Sequence, residues 1–309
     1  MYVVPNIFYI TCISLVAFMS PKKKKKEKEE EHQKALFYKE AERMYVPVSD
    51  GAELLVYFTK KGKNPSGITI LFIPGYASIP MSWNDLWDEL YEEFDLYVLE
   101  TREKVTSKTK WSHRGSMNRS GEDVGDALRG LKLDPKKTVI FCASASILYA
   151  LRGLAEKWLE EPLGFIMIGP VRTPILPSKL IFMTKFTPSF IINGLLRSIG
   201  KLWIHTAVPK GIQRERYKQY IGTASAMRWK KTMHVTFWDG TEDFKIVKVP
   251  CLMVGAIQED LHVDDETKIC VDLVEKSEYL QVSSFMYMHH LPGATDFAKQ
   301  LAEFIEKIA

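Results

Sequence analysis

The sequence predicts an α/β protein with a mostly parallel central sheet, helices on both faces, an inserted helical cap and an N-terminal transmembrane helix. From residue 44 onward, short β-rich runs alternate with helical ones, which is the rhythm of strand–helix–strand units. Runs such as "ITILFIPG" and "VIFCAS" have no polar alternation, as expected of strands covered on both faces. That rhythm stops between residues 172 and 231, where basic and aromatic helical stretches replace strands. At 309 residues and 46 % hydrophobic content, the chain suits one sizeable core rather than two equal domains.

Taken in order, residues 1–21, "MYVVPNIFYITCISLVAFMSP", carry no charge and are long enough to cross a bilayer once. A cleaved signal would have basic residues before the apolar run and small residues after it, but here Lys22–Lys26 follow. The positive-inside rule therefore puts the lysines and the body on the cytoplasmic side of a single-pass membrane protein. Residues 22–43 mix both charges at helical spacing and read as a solvated spacer. The core occupies 44–171 and 232–309, and the cap 172–231.

"MYVPVSD" and "AELLVYFTKKG" form an antiparallel opening pair, and "ITILFIPG" is a buried strand. The next helix carries Trp83, Leu86, Leu90 and Phe94 on one side. "DLYVLE" is a strand, and Ser120 with Asp123 fits a capping box for the helix after it. "KTVIFCAS", a helix from Ala145 and "GFIMIGPV" complete the first half. In the cap, Thr187 and Pro188 start a helix, because proline in the first helical turn loses no needed N–H. The strand "PCLMVGA", a helix from Asp264, the strand "SEYLQVSS" and a closing helix end the chain.

Charge is segregated. The net +4 divides into +3 for residues 1–34, +11 for 172–231 and −10 for the remainder. The cap also carries Phe182, Met183, Phe186, Phe190, Ile191, Leu195, Trp203 and Trp229, a composition that suits an anionic membrane surface or packing onto the core. Nucleic acid would suit the charge, but tethering to a bilayer argues against it. Cys12, Cys142, Cys251 and Cys270 lie in apolar runs without C-x-x-C spacing and read as buried thiols of a reducing compartment.

The order of a serine after a central strand, a cap, an acid after the next strand and a histidine after the last resembles the α/β-hydrolase fold family over residues 44–309. The family's G-x-S-x-G elbow falls on Cys142, Ala143, Ser144, Ala145 and Ser146, with small side chains replacing both glycines. The resemblance makes Ser144 the nucleophile, with Ser146 a second candidate; a structural turn of small residues is the other reading. "HLPGATDFAKQLAEFIEK" matches the family's final histidine, proline and closing helix, which points to His290 beside His289. The acid should follow Gly255, so the resemblance implies Asp260, with Glu259 as rival. Asp264 and Asp265 instead suit the positive end of the next helix. The oxyanion hole would use the backbone N–H groups of Ala145 and of Tyr76, which follows Pro74-Gly75.

The resemblance thus implies a serine hydrolase that cleaves a hydrophobic or lipid-like ester through an acyl-enzyme, without metal or cofactor. Monoacylglycerol or lysophospholipid would be examples of substrate. A non-catalytic binding protein of the same fold and an acyltransferase remain open. No phosphate-binding glycine loop is present, and the histidines lack metal-ligand spacing. Serine at 144 excludes the aspartate chemistry of dehalogenases and epoxide hydrolases of this fold.

Overall fold

The strands β1 (Glu42–Pro47), β2 (Glu53–Thr59), β3 (Thr69–Ile73), β4 (Asp95–Glu100), β5 (Thr138–Ala143), β6 (Gly164–Ile168), β7 (Cys251–Ala256) and β8 (Ser277–Val282) form one sheet. The structure is a computed structural model that describes residues 36–60, 64, 67–76, 78, 80–174, 181–182, 185–207, 212–223, 225–257 and 264–309. Sheet order is β1-β2-β4-β3-β5-β6-β7-β8, with β1/β2 and β2/β4 antiparallel and the other pairs parallel. Central β5 and β6 are buried at every position, which explains their unbroken apolar sequence.

Helices α1 (Leu36–Glu40), α2 (Asn84–Leu90), α10 (Phe285–His289) and α11 (Gly293–Ile308) cover one face. Its core includes Phe37, Trp87, Phe141 and Phe297. The opposite face is covered by α3 (Met117–Gly130), α4 (Ala145–Ala155), α8 (Thr241–Lys245) and α9 (Asp264–Leu273). Gly121 and Gly153 let α3 and α4 approach closely, since a Cβ on Gly121 would lie 2.7 Å from the Gly153 nitrogen.

The path leaves β3 for β4 on one side, then crosses back to β5 on the other. In a sheet of this kind the reversal opens a crevice at the strands' C-terminal ends, where ligands bind. The loops after β3 and β5 meet there.

Between residues 172 and 231 the described residues hold helices and no strand: α5 (Ser189–Ala207), α6 (Ile212–Thr223) and α7 (Ala226–Thr232). Helix α5 begins immediately after Pro188, whose carbonyl accepts from Ile191 and Ile192. The expected 1–21 span lies outside the described residues, and no described helix is long and apolar enough to cross a membrane.

The capping box at Ser120 and Asp123 is corrected by the structure. Ser116 is the N-cap of α3 and accepts from Arg119, placing Ser120 a turn inside the helix. Asp123 is instead drawn to buried Arg102, whose guanidinium grips both its oxygens. Two five-residue helices, α8 and α10, have no counterpart among the elements expected from sequence; the second leads directly to His290.

Candidate active site

Ser144 joins β5 to α4 with φ 56° and ψ −127°. A β-carbon-bearing residue in that conformation costs about 1–3 kcal/mol and persists only when its surroundings hold it. Here its N–H donates to the Ile168 carbonyl at 2.9 Å, tying the turn to the end of β6. The residue is partly exposed, whereas Ala143 and Ala145 on either side are buried. The strained turn projects the serine at the head of a helix.

Ser146 has a different role. Fully buried, its hydroxyl lies 2.6 Å from the Ile73 carbonyl and accepts from the Ala143 N–H at 3.0 Å. It pins the first turn of α4 to the ends of β3 and β5, so a small polar residue replaces glycine there. Cys142, two residues before Ser144, is also fully buried, and desolvation pushes its thiol well above the ordinary range.

The loop after β3 presses against this turn. A Cβ on Gly75 would meet the Ala143 carbonyl at 3.0 Å and the Ser144 Cβ at 3.3 Å, so Tyr76 follows directly on a residue touching the elbow. Ala145 heads α4, and as a first-turn amide its N–H has no acceptor within the helix. The two expected oxyanion donors therefore belong to segments in contact.

Two further residues fasten that loop. Lys104, just beyond β4, is only 8 % exposed, and its Nζ donates to the carbonyls of Gly75 at 2.9 Å and Ser78 at 2.7 Å. Burial pulls its pKa down, opposed by Glu103 and Glu100. Arg228 of α7 donates to the Lys104 carbonyl and, at 2.8 Å, to that of Ser107. Tyr76 itself reaches the cap, its hydroxyl sharing a 2.8 Å hydrogen bond with Thr232 and its ring lying 5.6 Å from that of Trp229.

His290 caps the C-terminus of α10 in extended backbone, and its Nδ1 lies 3.4 Å from Asp85 Oδ2. The same oxygen accepts from the Leu291 N–H at 3.3 Å. Asp85 sits in the first turn of α2, where the helix dipole favours a carboxylate. An aromatic chain relates this segment to the elbow: Phe141, three residues before Ser144, lies 6.0 Å from Trp83, which lies 4.3 Å from His289.

Asp260 and Glu259 lie outside the described residues. Asp264 accepts from Tyr279, from Gln281 at 2.9 Å and from Lys268 at 2.7 Å, at the head of α9. Among the described residues no group of histidines, cysteines and carboxylates could hold a metal ion.

Asp85, Lys104 and Arg228 were not singled out from sequence. Asp85 shares its helix with Asp88 and Glu89, and only the fold sets it beside His290.

No family model and no curated protein matches the sequence. Solved structures do match. An esterase from Rhodococcus sp. shares 14 % identity at a TM-score of 0.67, covering 86 % of this chain and 99 % of its own. A bromoperoxidase from Bacillus anthracis shares 14 % identity at 0.69, covering 86 % of this chain and all of its own (100 %). A membrane phospholipase A, described as a novel bacterial virulence factor, shares 12 % identity at 0.65 and covers 98 % of this chain and 94 % of its own. With the strand order and the Ser144 turn, these likenesses make the chain a protein of the α/β-hydrolase fold.

Proposed function

We propose that the protein is a membrane-anchored serine hydrolase of hydrophobic, lipid-like carboxylic esters, with its body on the cytoplasmic side. The observation that carries this reading is the backbone of Ser144, which bears strain at a partly exposed serine heading a helix. Esterases recur among the structures of this fold, and the likeness to a protein described as a membrane phospholipase A supports a lipid ester.

In this mechanism Ser144 Oγ attacks the acyl carbonyl while its proton passes to His290. With Nδ1–H donated to a carboxylate, Nε2 is the basic nitrogen. The amides of Tyr76 and Ala145 receive the developing oxyanion. The proton then leaves with the alcohol, and water cleaves the acyl-enzyme by the same route. Asp260 remains the carboxylate that the family order implies, while Asp85 stands beside the imidazole.

A membrane-impermeant fluorophosphonate tests chemistry and sidedness together. It should label the full chain only after right-side-out vesicles are opened, and Ser144→Ala or His290→Ala should abolish labelling. A folded chain that is never labelled would point to a binding protein, and labelling before opening would reverse the topology.

A further inference from the structure

We propose that the outward face of the cap docks on an anionic lipid surface. Helix α5 is apolar on both sides. Ile192 and Ile204 are 6 % and 2 % exposed, yet Phe190, Ile199 and Leu202 are 75 %, 53 % and 65 % exposed. Before it, Phe182 and Phe186 are 64 % and 63 % exposed, with ring centroids 4.6 Å apart. Single exposed apolar side chains are ordinary, but five within residues 182–202, two of them in ring contact, are a concentration that water disfavours.

Charge selects the occupant. From residue 172 to 214 the sequence has seven lysines and arginines and no acid. Lys185 and Lys201 are exposed, with Lys185 Nζ 5.9 Å from the Phe186 ring centroid. Polar demand on the outer face is met internally: Ser198 donates to the Gly194 carbonyl at 3.2 Å and Thr206 to that of Leu202 at 2.9 Å. Apolar rings that enter the acyl boundary beneath cations that meet headgroups are how an interfacial helix binds.

The tether permits this orientation. Residues 22–35 span at most about 50 Å, so a body anchored through residues 1–21 could turn its cap to the bilayer without leaving it. The inference uses the anchor of the proposed function but none of its chemistry.

The test places a polarity-sensitive fluorophore on Phe186→Cys of the full chain carrying Cys12→Ser. Cys142, Cys251 and Cys270 are buried and should resist labelling. In vesicles of phosphatidylcholine with phosphatidylserine, the dye should shift to the blue and be quenched by nitroxide-bearing lipids. The same dye on Lys136→Cys, remote from the cap, should not respond. Removing phosphatidylserine, or adding Phe182→Ser and Phe190→Ser, should weaken the response. Equal behaviour of the two labels would overturn docking, as would a shift that tracks protein concentration in detergent alone, which would identify a second copy as the occupant. Indifference to phosphatidylserine would overturn the anionic surface. Since fluorescence reads contact and not turnover, a failed serine mechanism would leave this result intact.

Discussion

Asp85 gives His290 a carboxylate from the helix after β3, whereas the family order expects one from the segment after β7. Which carboxylate orients the imidazole can be separated at single positions. If Asp85 does so, Asp85→Asn should lower kcat by at least about tenfold with little change in KM, because the amide no longer stabilises the imidazolium formed in the transition state. Asp260→Asn should then have a minor effect. The reverse pattern in kinetics of the two variants would return the role to Asp260. Residue identity carried the serine and histidine assignments because small residues at a turn and His-x-Pro before a helix are local signals. Asp85 was not legible, since its pairing joins positions 205 residues apart.

The loops that frame the serine are held by other elements rather than by themselves. Lys104 reaches from beyond β4 to two carbonyls of the loop after β3, and Arg228 of α7 grips the Lys104 carbonyl. Replacing the lysine by methionine removes a buried donor from two acceptors at a cost of about 1–3 kcal/mol. Lys104→Met should therefore lower the denaturation midpoint, and it should depress kcat more than it raises KM as Tyr76 loses its fixed position. An unchanged kcat in a folded variant would make the lysine purely structural. Element type was legible wherever a strand is buried on both faces, as in β3, β5 and β6, because an all-apolar run leaves little choice. It was not legible in α8 and α10, since five residues give too few turns to show a 3.6-residue period. The start of α3 was misread because Ser120 and Asp123 have cap spacing, while the partner that claims Asp123, Arg102, is distant in sequence.

Across the whole molecule, cap and core meet at a histidine that resists protonation. His234 follows α7, its Nδ1 lies 3.2 Å from the Lys231 carbonyl and its Nε2 3.5 Å from Ser120 of α3. Burial, reinforced by nearby Arg102, lowers its pKa to about 4. The unfolded chain binds this proton near pH 6.5 and the folded one does not, so stability falls as pH drops through that interval, by up to about 3 kcal/mol. His234→Gln should flatten the pH dependence of the denaturation midpoint between those values; an unaltered slope would assign it to other groups. The sheet has one more consequence. Its rims are β1, which bears Glu42 and Arg43 and ends on Pro47, and β8, where Glu278 is bound by Lys307. Charge and proline along such borders discourage a neighbouring copy from adding its backbone to the ladder. Crowding many copies together should therefore not zip them into fibrils.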